Sequence, residues 1–199
     1  MPNKTFFNLS DEKRRRIVDA ALQEFAAHSF NEASINRIIK NADIPKGSFY
    51  QYFKNKEDLY LYFLDEVSKK FTDPLLHEKE MHPDANFFEV IKHVNREVLK
   101  IKNIRPEYIE IRMRMELDNN EFIMNIRKKS TEKYIKIIEH DKERGIINPD
   151  VDAKIIVDMI ASFSLNEFYR NGSSAEEYLR KLDSMLNIIK EGVAVARDK

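Results

Sequence analysis

The stretch from Ile35 to Lys56 constrains the fold more than any other, because two short helical patterns meet there at a tight break. Ile35, Ile38, Ile39 and Ala42 recur at i, i+3, i+4 and i+7, the spacing of one buried stripe on a short helix. Asn36, Arg37 and Lys40 are left on its outer face. Asp43-Ile44-Pro45 then ends that helix, since proline has no N–H to donate and disfavours α geometry in the residue before it. A second helix begins with Pro45 in its first turn, where the missing donor costs little. Within it Phe49 and Phe53 lie one turn apart and point inward. At about 100° per residue, Gly47, Ser48, Tyr50 and Gln51 fall on the opposite arc, flanked by Lys46 and Tyr52.

That outward arc suits a duplex. An amide or a hydroxyl hydrogen-bonds base edges, a phenol reaches a phosphate, and a glycine admits a backbone at close range. The arrangement reads as a recognition helix for a DNA major groove. The run Ala33-Ser34-Ile35-Asn36-Arg37-Ile38-Ile39, followed by Ile44-Pro45-Lys46-Gly47-Ser48-Phe49-Tyr50-Gln51-Tyr52-Phe53-Lys54-Asn55-Lys56-Glu57-Asp58-Leu59, closely resembles the DNA-binding domain of TetR/AcrR-type transcriptional regulators. The resemblance is strong over roughly the first 60 residues and rests on length and helical pattern beyond them. It implies that Ser34, Arg37, Lys46, Gly47, Ser48, Tyr50, Gln51, Tyr52 and Lys56 touch DNA. Asn36, exposed beside Arg37, joins these candidates. Two departures stand out. Asp43 sits where the family often has glycine, so the turn asks a left-handed conformation of a residue that tolerates it moderately. Ile39 sits where a small residue is common.

Composition narrows the alternatives. Only 4 glycines and 6 prolines in 199 residues argue against a loop-rich β protein, while 34 charged side chains of each sign fit amphipathic helices with solvated faces. With 0 cysteines there is no disulfide framework and no thiol chemistry. The net charge of zero hides a division: through Lys56 there are 10 basic and 6 acidic side chains, a net of +4, against 24 and 28 in the remainder, a net of −4. A basic end on an acidic body fits contact with phosphates at that end. Met1 to Phe7 are too short and polar for a signal peptide, and no run approaches the roughly 20 apolar residues of a spanning helix. A soluble cytoplasmic protein without a membrane partner is expected.

Along the chain, Ser10 caps a helix to about Ala27 with Ile17, Val18, Ala21, Leu22 and Phe25 as its buried stripe. Arg14, Arg15 and Arg16 near its start are either phosphate contacts or a solvated face. Asn55 caps a long helix from Lys56 to Thr72, with Asp58 in a box-like position. This helix is the expected mechanical link to the second domain. A polar connection over 75–82 precedes helices near Asp84 to Lys102, from Pro106, and near Asn120 to Arg144, Asp150 to Arg170 and Ser174 to Ala196. Residues 109–117 alternate apolar and polar with period two, which suits a strand. No other stretch offers a partner, so the segment reads as a helix apolar on two sides. The expected fold is all-α: an N-terminal three-helix DNA-binding domain with a helix-turn-helix (1–55), then a larger helical ligand-binding and dimerisation bundle (56–199), about nine helices in all.

The helix near Asp150 to Arg170 is apolar all round, which demands burial on every side. Ile156, Ile160 and Phe163, with Tyr178, Leu182, Met185, Leu186 and Ile189 on the final helix, read either as a dimer interface or as the core of a monomer. The resemblance favours a homodimer, because these regulators pair through their last two helices. A two-fold pair puts its recognition helices roughly 34–36 Å apart on a palindromic operator. Tyr62, Phe63, Phe87, Phe88, Ile91, Met113, Phe122 and Phe163 supply aromatic surface for a lipophilic small-molecule effector, or pack a core. Arg112 either holds an anionic head group there or pairs with Glu116.

Catalysis has little support. His28, His77, His82, His93 and His140 are scattered without a metal-binding spacing. There is no phosphate-cradling glycine loop and no nucleophile elbow. No enzyme, cofactor or metal site is expected. The reading is a DNA-binding transcriptional regulator, a repressor released by a largely apolar ligand. Its alternative is a helical ligand-binding or dimerising module without operator-specific DNA binding.

Overall fold

The computed structural model describes residues 2–71, 83–102, 106–167 and 174–194. Among them it is all-helical, with ten helices: α1 Lys4–Phe7, α2 Asp11–Ala27, α3 Ile35–Asn41, α4 Lys46–Tyr52, α5 Lys56–Phe71, α6 Phe87–Lys102, α7 Pro106–Leu117, α8 Glu121–Glu143, α9 Ala153–Asn166 and α10 Ala175–Val193. An isolated antiparallel bridge joins Ile147 and Ala194. The connection over 75–82, with His77 and His82, lies outside the described residues, as does the expected end of the 150–170 helix.

Polar side chains start most of these helices. Ser10 and Ser34 accept from the amides of Lys13 and Arg37, and Asp152 and Ser174 do the same for α9 and α10. Asn55 Oδ1 accepts from the Asp58 amide at 2.9 Å, and the Asp58 carboxylate accepts from the Lys54 amide at 3.2 Å. Each such cap contributes about 1 kcal/mol. The alternating segment is helix α7, opened by Pro106, with Ile109, Ile111 and Met113 buried. Helical packing uses both of its apolar sides, so the period-two pattern carries no strand.

The chain forms two compact units: Met1–Asp73 with Ile101–Met124, and Pro74–Lys100 with Asn125–Lys199. In the first unit α2 packs against α3, α5 and α7. The unit holding the helix-turn-helix is therefore larger than the 1–55 segment. Arg114 Nε donates to the Ala26 carbonyl at 2.5 Å, and Asp118 Oδ2 accepts from the Phe30 amide at 2.9 Å. The Phe122 ring lies 4.9 Å from that of Phe30.

The second unit is built on Phe87, Phe88, Ile91, Ile138, Ile147, Ile156, Ile160, Leu182, Leu186 and Ile189. A polar thread crosses it. Tyr178 Oη donates to Asn95 Oδ1 at 2.7 Å and lies 3.0 Å from Ser164 Oγ. Asp141 is fully buried, accepting from the Phe87 amide at 2.6 Å and from Arg144 at 3.2 Å. The buried carboxylate thereby occupies the start of α6.

Candidate nucleic-acid interface

The break between α3 and α4 is set by three backbone facts. Asp43 adopts φ +50°, its amide donates to the Lys40 carbonyl at 3.2 Å, and the Ile44 amide donates to the Ile39 carbonyl at 3.2 Å. These paired bonds with a left-handed residue just past the cap make a Schellman stop. Aspartate holds the position where glycine carries no Cβ penalty. Arg16 stands 3.6 Å from the Asp43 carboxylate.

Beyond the stop, Phe49 and Phe53 are fully buried with ring centroids 5.6 Å apart. They anchor one side of α4. Lys46, Gly47, Tyr50 and Gln51 are exposed on the other side, and Ser48 is half-buried at its edge. A Cβ added at Gly47 would meet nothing within 4 Å, so none of the described residues requires a glycine there.

Tyr52 departs from expectation. It is 5 % exposed, its ring 6.2 Å from that of Phe6. On the wheel it sits about 60° from Phe49, inside the buried arc, and so cannot present its phenol to DNA.

On α3, Asn36 is exposed and Ser34 is the half-buried cap. Arg37 is exposed, its side chain 48 % accessible, and its guanidinium also bonds back to α2. Its Nε and Nη2 donate to the Glu24 carboxylate at 2.9 and 2.6 Å, and Nη2 also donates to the Glu32 carbonyl at 2.7 Å. Glu24 further accepts from the Ser34 amide at 2.7 Å. Burial pushes the Glu24 carboxyl up, but the hydrogen bonds from Arg37 and Ser34 and the Arg37 charge outweigh it and hold the carboxyl below its ordinary range.

Lys56 departs likewise. Its Nζ donates to the carbonyls of Phe30, Ala33 and Asn31 at 2.5, 2.9 and 3.3 Å, and lies 4.7 Å from the Phe30 ring centre. An ammonium has three protons, and three carbonyls face them. Burial lowers its pKa. The expected phosphate anchor is a clamp on the 30–33 loop.

The residues missed in the sequence are at the N-terminus, where α1 packs against α4. The Asn3 amide donates to the Tyr52 carbonyl at 2.8 Å, while Asn3 Nδ2 and Thr5 Oγ1 donate to the Gln51 carbonyl at 3.0 and 2.6 Å. Phe6 is fully buried. The Phe6-Phe7 pair in an otherwise polar run was the available signal.

The effector candidates divide between the units. Tyr62, Phe63, Arg112, Met113 and Phe122 belong to the first, Phe87, Phe88, Ile91 and Phe163 to the second. Tyr62 packs on Phe6 at 5.1 Å, and Phe63 stacks on Tyr108 at 5.1 Å. Phe87, Phe88 and Ile91 are core residues of their unit. Arg112 is exposed.

Of the interface candidates, Ile156, Ile160, Leu182, Leu186 and Ile189 are buried in their own unit. They serve that core, which corrects their assignment to a partner-facing surface. The other face of the same helices is open: Ile155 is 57 %, Met159 50 % and Ile188 71 % exposed. Ile155, Asp158, Met159, Ser162, Phe163 and Met185 line a shallow groove there. Phe163 and Met185 keep a place at that surface; Tyr178 is half-buried in the polar thread.

Among the described residues no three His, Cys, Asp or Glu side chains are grouped to hold a metal ion, and no helix is long and apolar enough to cross a membrane.

Residues 17–63 match the family of bacterial regulatory proteins named tetR. The chain is similar to the HTH-type transcriptional regulator YdgC of Bacillus subtilis (strain 168), 32% identical over 76 residues, 37% of this chain and 39% of that protein. It is also similar to the fatty acid metabolism regulator protein of the same organism, 25% identical over 113 residues, 52% of this chain and 58% of that protein. The chain thus spans about half or less of the length of these curated relatives. A TetR family transcriptional regulator from Chloroflexus aurantiacus J-10-FL has a similar structure, with TM-score 0.67 and 26% identity over 98% of this chain and 100% of that one.

Proposed function

The chain belongs to the TetR family of bacterial regulatory proteins, and from that premise we propose that it is a repressor. It binds a palindromic operator as a homodimer and leaves it when a small, largely apolar ligand binds. One observation carries the reading: α4 turns Lys46, Gly47, Tyr50 and Gln51 to solvent around two fully buried phenylalanines. In this role Gln51 and Ser48 read base edges, while Lys46 and Tyr50 meet phosphates. Ser34 and Asn36 approach the backbone from α3. Gly47 leaves the space that the duplex fills.

The partner is a second copy of this chain, docked through the exposed Ile155 and Met159 of α9 and the groove that they line with Phe163 and Met185. Exposed apolar side chains clustered on two adjacent helices favour association. A lipophilic effector is supported by similarity to a fatty acid metabolism regulator. Such a ligand acts by binding better to a conformation in which the paired heads no longer match the operator spacing.

The test is selection of bound sequences from a random duplex pool by the purified full-length chain, followed by binding at several salt concentrations. The proposal requires an enriched palindromic motif and an affinity that falls steeply with salt. No motif and no salt dependence would leave the module that dimerises without reading DNA. A thermal-shift panel of fatty acids and acyl-CoA esters tests the effector class.

A further inference from the structure

We propose that the N-terminal segment over residues 2–7 is a positioning strut for the recognition helix, so that Asn3 and Thr5, acting through the backbone carbonyls at its end, set how sharply Gln51 discriminates bases. The inference rests on the reading of α4 as the DNA reader.

A seven-residue helix such as α4 is far below the roughly 12–15 residues at which helices become marginally stable alone. Its last carbonyls also lack partners within the helix. The Phe53 amide takes the Phe49 carbonyl at 2.9 Å. Of the carbonyls that follow, the strut takes those of Gln51 and Tyr52. Asn3 uses its backbone amide on Tyr52 and its side-chain amide on Gln51, and Thr5 adds its hydroxyl to Gln51. Gln51 is thus held by its carbonyl on the strut side while its side chain is free to turn outward.

The strut is itself anchored. Phe6, fully buried, lies 4.8 Å from the ring of Phe53 and 5.1 Å from that of Tyr62 on α5. Phe7 also meets Tyr62, at 6.3 Å. One short segment therefore bonds the end of the reader helix and leans on the long helix that follows it. Base readout needs donors and acceptors placed to within a fraction of an ångström, so loosening this end blurs discrimination without removing phosphate contacts.

The experiment uses the full chain and two probes: a consensus duplex obtained by selection with the wild type, and a scrambled duplex of equal length. Wild type, Asn3→Ala/Thr5→Val and Thr5→Ser are compared by thermal melting and by affinity for both probes across a salt series. The strut predicts that the double variant keeps its helical content, its affinity for the scrambled duplex and its salt slope. Its consensus-to-scrambled ratio falls about tenfold, the scale of two lost hydrogen bonds. Thr5→Ser, which keeps the hydroxyl, retains the wild-type ratio. An unchanged ratio, or an equal loss on both probes, overturns the strut while leaving the regulator reading in place. If the double variant unfolds, Thr5→Val alone is judged by the same ratio against Thr5→Ser. A wild type that selects no consensus overturns the regulator reading and the strut together.

Discussion

The Glu24 carboxylate, 3 % exposed, receives the Arg37 guanidinium at 2.6 Å, tying α2 to α3 beneath the helix-turn-helix. The pairing assigns Arg37 a scaffold role, since its fork is directed at Glu24 and the Glu32 carbonyl. Glu24→Gln should destabilise the protein by about 1–3 kcal/mol, because the buried acceptor then receives weaker bonds. The pH dependence follows from the depressed carboxyl. Its contribution is full above the ordinary carboxylate range and is lost as pH falls through the lower folded value. Denaturant melts of both proteins at neutral and acid pH should show the gap closing on acidification. A gap that widens would contradict the pairing.

Lys56 clamps the 30–33 loop by three carbonyls. Lys56→Met should lower stability by about 1–3 kcal/mol and leave the salt slope of DNA binding unchanged. A slope smaller by about one unit with stability intact would restore the phosphate contact that the sequence suggested.

Gly47 separates folding from binding. With open space at its Cβ position, Gly47→Ala should stabilise the protein by up to about 1 kcal/mol through helix propensity. Its affinity for the selected operator should fall at least several-fold, because the methyl group occupies space meant for the duplex. A variant both more stable and equally tight in binding would place the DNA elsewhere.

Met159 stands 50 % exposed beside Ile155 on α9. Met159→Glu should yield monomers in sedimentation experiments with little loss of unfolding enthalpy per chain. Ile160→Glu, by contrast, should unfold the chain, since Ile160 is a core residue at 8 % exposure. Dimers that persist in Met159→Glu would move the interface off this stripe.

The sequence made most of the helices, the Ser10 and Asn55 caps and the left-handed Asp43 legible, because these depend on residues within one turn of each other. What it hid is tertiary. The 153–166 helix has two apolar arcs, Ile156 with Ile160 and Ile155 with Met159, and periodicity cannot say which faces the chain's own core. Lys56 and Arg37 read as outward cations because their acceptors, the carbonyls of residues 30–33 and the Glu24 carboxylate, are distant in sequence. Tyr52 was misplaced for a local reason: its angular distance from Phe49 puts it among buried rings. The polar strut was invisible because its partners are carbonyls some 46–48 residues away.

The most direct test is Gln51→Ala measured on the duplex that the wild type selects and on single-base variants of it. The account predicts that the variant loses discrimination at one position per half-site, by about 1–3 kcal/mol, while its affinity for scrambled DNA and its salt slope stay those of wild type. Discrimination preserved at every position would contradict the assignment of α4 as the reader.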